Sequence, residues 1–225
     1  MTELPLAPGT LARGDAYAYA CHGCGRCCYG KSIRVSPYEA ARLADVLGTS
    51  TTAVLARDVD PATGALRRTD TGACTYFRGG GCSVHAGRPL ACRLYPLGWL
   101  VAPSGEEVFV RYEGHPESEG VTGTDGTVQG YLDGQGTTPY QQSARRYEVV
   151  LRRLRIALEA DGPDPGEPPP VADVDAAVGA DCAARGVPVP EGVEARVDLH
   201  LALLHRWLDG AGAPPAEAPN ARARP

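Results

Sequence analysis

Seven cysteines lie between positions 21 and 92, namely Cys21, Cys24, Cys27, Cys28, Cys74, Cys82 and Cys92, and the eighth, Cys182, stands far downstream. The first four occupy the run C-H-G-C-G-R-C-C, a C-x2-C-x2-C-C pattern. A C-x2-C turn can aim two sulfurs at one point, and Gly23 and Gly25 relax the backbone that must make it. Cys27 adds a third thiolate at the same interval. Adjacent residues usually point in different directions, so Cys27 and Cys28 suit a cluster, or two neighbouring metal sites, better than one mononuclear ion. Cys74, Cys82 and Cys92 are expected to close the site from a second segment, with Gly79, Gly80 and Gly81 permitting the sharp turn. Crowded thiolates repel one another, and a bound cation relieves that repulsion while cross-linking distant segments.

Compartment decides what such thiols mean. Met1 to Asp15 shows no basic segment followed by an apolar core, which reads as no signal peptide. No run approaches the ~18 apolar residues that a membrane span needs. The expectation is a cytoplasmic protein whose thiols stay reduced and serve metal or redox chemistry. Soft sulfur suits both iron–sulfur clusters and Zn2+. A dense C-x2-C-x2-C run with a remote further cysteine is a common way to hold a cubane. Zinc more often uses two separated C-x2-C pairs, and this chain has only the first arrangement. An iron–sulfur cluster is therefore the preferred cofactor and zinc the alternative.

Other groups rank behind the thiols. Arg88 and Arg93 bracket Cys92 and are expected to lend positive charge to an anionic thiolate site without ligating it. His85 is read as a polar neighbour, His22 as pointing away, and His115 as an outside candidate ligand. His200 and His205 are read as surface or interface residues, and Cys182 as a small buried apolar residue. No Ser-His-Asp order, phosphate loop or separate carboxylate pair stands out, so catalytic residues are not assigned and independent catalysis is not expected. An enzymatic role, if there is one, would be that of an iron–sulfur oxidoreductase. The net charge of −5 argues against nucleic-acid and polybasic membrane binding, and an unidentified protein is left open as a partner.

The pattern Cys21-x2-Cys24-Gly25-x-Cys27-Cys28, then Cys74, then Cys82-Ser-Val-His-x-x-Arg88-Pro89-x-x-Cys92-Arg93-x-Tyr95-Pro96 resembles the YkgJ-type cysteine-cluster family, a zinc- or iron-chelating domain. The resemblance covers roughly residues 18–125. It implies a metal-binding or iron–sulfur protein whose reaction is mostly unassigned; the ligands expected here are these seven cysteines. Family members often carry a further cysteine after the strands that follow the Arg-Pro element. Here Glu113 to Gly123 offers His115 and Ser118 instead. Some members relate to flagellin lysine N-methylases, which makes a metal-dependent protein-modifying enzyme a further alternative. The radical-methionine spacing C-x3-C-x2-C and a glycine-rich nucleotide loop are both absent.

These residues must be positioned by few large side chains. The 225 residues include 28 glycines and 20 prolines but only two Phe, two Trp and one Met, so much of the chain is turn and connector. The expected fold class is α+β: a small, irregular, metal-stapled cysteine-cluster domain with short helices and a β-hairpin, then a helical C-terminal region. Its divisions read as an extension (1–17), the cysteine-cluster domain (18–125), a helical extension (126–160), a Pro-rich linker (161–172), C-terminal helices (173–209) and a disordered tail (210–225). Ser32–Val35 reads as a strand, and Ser36-Pro37-Tyr38-Glu39 as a capping box opening a helix to Leu47. Thr51–Val59 reads as a second helix, and Trp99–Ala102 with Glu107–Tyr112 as a hairpin. Residues 113–136 read as glycine-rich, with one short helix at Thr127–Leu132. A capping box at Thr138 opens a long helix to Ala160, with Leu151, Leu154, Ile156 and Leu158 as its apolar positions. Arg145, Arg146, Arg152, Arg153 and Arg155 are placed on its wet side. Asp173–Ala184 and Glu191–Leu208 read as the last two helices.

Overall fold

Ser36 starts the helix around which the rest is arranged. Its hydroxyl accepts from the Glu39 backbone N–H while the Glu39 carboxylate accepts from Ser36 N–H, the reciprocal capping box, and Pro37 supplies a preset φ at the first position. Helix α1 (Pro37–Leu47) ends at Gly48, which adopts the left-handed conformation. The computed structural model describes residues 9–102, 104–159 and 166–213 of the chain. Among these, β1 (Thr10–Leu11) and β2 (Ala16–Ala20) precede α1, and α2 (Thr51–Asp58), α3 (Leu90–Leu94), β3 (Leu97–Val101), β4 (Glu107–Arg111) and β5 (Val121–Thr127) follow it. Helices α4 (Val128–Gly134), α5 (Thr138–Glu159), α6 (Val174–Arg185) and α7 (Val193–Gly210) complete the order. The fold is mixed α+β.

Two antiparallel sheets serve the N-terminal half, one ordered β1-β4-β3 and the other β2-β5. The hairpin expected from Trp99 onward forms as β3 and β4, with Trp99 opposite Phe109; Pro103 at its tip lies outside the described residues. Strand β5 was not legible. Its sequence, VTGTDGT, carries two glycines and no hydrophobic alternation, yet it pairs with β2 from Ala20–Val121 to Ala16–Thr127. Glycine is needed where the strands close up: a Cβ at Gly126 would stand 3.0 Å from the Tyr17 carbonyl oxygen. Ser32–Val35 is extended but forms only an isolated bridge, Arg34 to Ala65, rather than a strand.

Three apolar cores result, and α1 touches two of them. Tyr38 and Ala41 enter a helical core with Tyr140, Tyr147 and Val150 of α5, Val178 and Cys182 of α6, and Val197, Leu201 and Leu204 of α7. On the other side Leu43 and Ala44 join Val54, Leu66, Tyr76 and Val84, with Cys74 and Cys82 packed against them. The third core, Tyr17, Leu94, Leu97, Phe109, Val128 and Leu132, lies under the sheets and α4. Each fully buried Leu in these cores contributes roughly 1.5–3 kcal/mol.

Helix α5 corrects the expected apolar face. Its buried residues are Tyr140, Gln141, Ser143, Tyr147, Val150 and Arg153, all but Gln141 spaced three and four apart, with Leu154 and Ala157 packed beside them. Leu151, Ile156 and Leu158 are exposed by 49%, 42% and 62%. Arg153, expected in solvent, is buried and donates to Asp209 and the Ala213 carbonyl, anchoring the end of α7. The expected end of α5 at Ala160, part of the Pro-rich linker (residues 161–165) and most of the tail (residues 214–225) lie outside the described residues, as do residues 1–8.

His200 is a second correction. It is fully buried, with Nδ1 2.8 Å from the Tyr147 hydroxyl and Nε2 3.0 Å from the Pro170 carbonyl oxygen. The carbonyl can only accept, so Nε2 carries the proton and Nδ1 accepts from Tyr147. His205 is half-buried, its Nδ1 facing Arg153. Cys182 is buried in the helical core, as its alanine-rich setting suggested.

The two cysteine segments dock by backbone and by one ring. Cys74 N–H donates to the Cys28 carbonyl at 2.8 Å, and Tyr29 bridges Ala73. Gly25, buried and left-handed at φ 72°, lies flat against Phe77, and a Cβ there would run into the ring. Tyr29 meets the same ring edge-on, with centroids 5.4 Å apart.

Two expectations follow. Gly25→Ala combines left-handed strain with a steric clash and should cost more than 2 kcal/mol; Gly23→Ala, at φ 70° in open space, should cost only about 1 kcal/mol. Urea unfolding of both variants checks the order, and equal losses would contradict the docking role of Gly25. Burial holds the His200 pKa below its ordinary value, partly offset by the Pro170 hydrogen bond. The folded protein then keeps His200 neutral where the unfolded chain takes up a proton, so the stability it contributes is full above about pH 6.5 and declines below it. His200→Gln, which can still accept from Tyr147 and donate to Pro170, should flatten the fall in thermal midpoint between about pH 7 and 5.

Candidate metal centre

The chain leaves β2 at Ala20 and turns through Cys21–Gly25 into a short 3-10 turn, Arg26–Cys28. Gly25 caps that turn, and Cys28 N–H donates back to the Gly25 carbonyl at 2.9 Å. Cys27 and Cys28 are both half-buried. They interact with each other: a hydrogen bond from the Cys28 thiol stabilises a thiolate on Cys27, and the nearby Lys31 and Arg88 charges add to this. The same bond, burial and the negative field of Cys27 push Cys28 upward. The adjacent thiols therefore share one neighbourhood.

The second segment presents its sulfurs from a tight loop. Cys74 and Cys82 flank a turn closed by the Phe77–Cys82 bridge and by Arg78 N–H donating to Gly81. Behind them Tyr76 donates to Asp58 at 2.8 Å, and Arg57 clamps both oxygens of that carboxylate. Cys92 sits on α3, whose first N–H, that of Leu90, donates to Glu39 Oε1 at 2.7 Å. Glu39 thereby caps α1 and holds the Cys92 helix with the same carboxylate. Gly87, in the 3-10 turn before α3, packs so closely on α1 that a Cβ would lie 2.6 Å from the Arg42 carbonyl oxygen.

Burial pushes Cys74 and Cys82 above the usual thiol range, and Cys92 to about 12. Each also feels its neighbours: Cys82 acts on Cys74, Cys27 on Cys82, and Cys74, Cys27 and Cys82 all act on Cys92. Cys27, Cys28, Cys74, Cys82 and Cys92, from three parts of the chain, thus lie within electrostatic reach of one another's neighbours. Cys24 faces elsewhere. Its thiol is held below the usual range by the backbone N–H of Glu119 and then that of Arg26, with the Ser118 hydroxyl assisting. Cys21 is exposed and acts on Tyr19 and Tyr131.

The donor chemistry fits a soft metal. All seven thiols are free of disulfides, and a cation would reverse the upward push that burial and mutual repulsion impose on Cys74, Cys82 and Cys92. Among the described residues no three His, Cys, Asp or Glu side chains are drawn to coordination geometry around one point. The fold supplies neighbouring donors, not a closed coordination sphere.

The two arginines expected beside Cys92 divide their roles. Arg88 acts on Cys27 and Cys82 while donating to the His85 carbonyl and to Gln135 Oε1 at 2.7 Å. Arg93 is buried and donates to the carbonyls of Arg88, Ala86 and Gln135 and to the Tyr140 hydroxyl, whose ring it also covers at 4.3 Å. It braces the turn that carries Cys92 against α5. His85 is exposed beside Arg88, and His22 is exposed. His115 Nδ1 accepts from Glu117 N–H at 3.1 Å, so that nitrogen is occupied locally.

Sequence reasoning missed Lys31. Its Nζ lies 3.2 Å from the centroid of the Tyr95 ring and acts on Cys27, Cys92 and Cys28. The available signal was its singularity: the chain's one lysine stands three residues past the cysteine doublet.

Among the described residues no helix is long and apolar enough to cross a membrane. No curated protein and no solved structure matches the chain. A family model does match, over residues 20–113, a little under half of the chain, and its description is "Putative zinc- or iron-chelating domain". The matched span contains all seven clustered cysteines with Lys31 and Arg88. Residues 20–113 of this protein are similar to the CxxCxxCC family over that span.

Proposed function

We propose that the seven clustered cysteines hold an iron–sulfur cluster and that the protein serves a redox role, in electron transfer or sensing, in a thiol-reducing cytoplasmic setting. The observation that carries this reading is the mutual action of Cys27, Cys28, Cys74, Cys82 and Cys92 in one half-buried neighbourhood. A single tetrahedral zinc takes four ligands. Five thiols together, with Cys21 and Cys24 on the adjoining loop, exceed that number and suit a polynuclear centre. When bound, the cluster would supply one-electron chemistry at a potential tuned by charge, hydrogen bonds and exposure. The chain's own contribution is to hold the thiols near one another. Lys31 and Arg88 oppose the negative charge there, and Arg93 fixes the turn below Cys92.

A structural zinc site is the second reading, favoured by one observation. Between residues 28–35 and 64–74 the connections are isolated bridges and single backbone hydrogen bonds, so a metal tying these segments would stabilise a region poor in regular structure.

Anaerobic purification with elemental analysis and a visible spectrum separates the readings. The expected result is brown protein containing iron and acid-labile sulfide, with absorbance that bleaches under dithionite. Stoichiometric zinc without iron would overturn the iron–sulfur reading in favour of the structural one. A natively folded chain free of both metals would overturn both. Cys28→Ala and Cys74→Ala should each lose most of the metal, whereas Cys182→Ala, in the helical core, should retain it.

A further inference from the structure

Beside the cysteine centre lies a cavity of about 620 Å³, bounded by α1, α3, β3 and α5. We propose that it binds a small, mostly apolar organic monoanion, with the acidic group on Lys31 and the hydrophobic body in the cavity. The volume falls within the range of small-molecule sites, roughly 300–1,000 Å³. Ile33, Leu90, Leu94, Leu97, Trp99 and Tyr112 supply walls suited to a flat or branched hydrocarbon body.

The polar lining selects the charge. Most of it is already engaged within the protein. The Glu39 oxygens accept from Ser36 and Leu90 N–H, and the Ser36 hydroxyl accepts from Glu39 N–H. Tyr140 accepts from Arg93, Tyr95 accepts from His115 N–H, and the Trp99 indole donates to Glu107. Glu113 stands exposed in solvent. Lys31 differs from all of these. It is half-buried, its ammonium rests on the Tyr95 ring, and among the described residues it has no carboxylate partner, only the field of the Cys27, Cys92 and Cys28 thiols. A ring face offsets only part of the cost of taking an ammonium from water, about 0.5–2 kcal/mol. An acidic group in the cavity would supply the remaining charge and accept its hydrogen bonds. Leu90 and Leu94 share α3 with Cys92, whereas Leu97, Trp99, Tyr112 and Tyr140 stand on segments that carry no cysteine.

The test uses the full chain as purified, with its metal content recorded, and fluorescence of anilinonaphthalene sulfonate as the probe. Naphthoate should displace the probe at concentrations about tenfold lower than the neutral, similarly sized naphthylmethanol, the worth of one charge-assisted hydrogen bond. Lys31→Met should weaken the probe by about the same factor, and Lys31→Arg should restore most of it. Ala144→Phe fills the cavity from α5, away from the cysteines, and should abolish binding. Equal displacement by acid and alcohol would overturn the proposal, as would unchanged binding in Lys31→Met or in Ala144→Phe. Because the acid–alcohol comparison is made on the unaltered protein, it decides the matter even if a variant fails to fold.

Discussion

Thiols set side by side and half removed from water cannot all ionise without a counter-charge, and the N-terminal half of this protein is organised around that constraint. Burial raises Cys74, Cys82 and Cys92, while one hydrogen bond splits Cys27 from Cys28 in opposite directions. Two cations, Lys31 and Arg88, stand close enough to act on Cys27. Holding the sulfurs together takes little regular structure. It takes one backbone bond from Cys74 to Cys28, a glycine flat against Phe77, and a turn pressed onto α1 at Gly87. Such contacts are short-range and unforgiving, so small side chains recur where the segments meet.

Two buried charged side chains help join the helical half to this region. Glu39 divides its carboxylate between the start of α1 and the first N–H of the Cys92 helix. Arg93 spans three elements, reaching the turn at Ala86, the end of α4 at Gln135 and the Tyr140 ring on α5. Both are buried charged groups, and each is satisfied by several partners, which is the condition under which such burial is tolerated. The bundle of α1, α5, α6 and α7 thus serves as the platform on which the cysteine turn is held at a set height. The cavity at Lys31 lies along the same junction, between the platform and the sheet.

Much of this was legible in the chain. The cysteine spacing marked a metal-type site, the Ser36–Glu39 box marked α1, and the turn after Ala102 marked the hairpin, because each signal acts over a few residues. The misses share a physical cause. Strand β5 has no pattern of its own and exists because β2 lies beside it. Leu151, Ile156 and Leu158 look more apolar than Ser143 or Arg153, yet the buried stripe of α5 follows spacing three and four apart and accepts a polar residue that finds partners. His200 resembled a surface residue because nothing nearby in sequence announces Tyr147 or Pro170.

From its residues alone, then, this protein was marked as a carrier of clustered soft ligands on glycine-relaxed turns, with helices begun and ended by local caps. The three-dimensional arrangement decided which thiols act on one another, that Cys24 takes a hydrogen bond from the Glu119 backbone, and that Lys31 both acts on the sulfurs and lines a cavity. Those outcomes depend on contacts between residues tens of positions apart. Their energies arise from burial and charge proximity, which no local periodicity encodes.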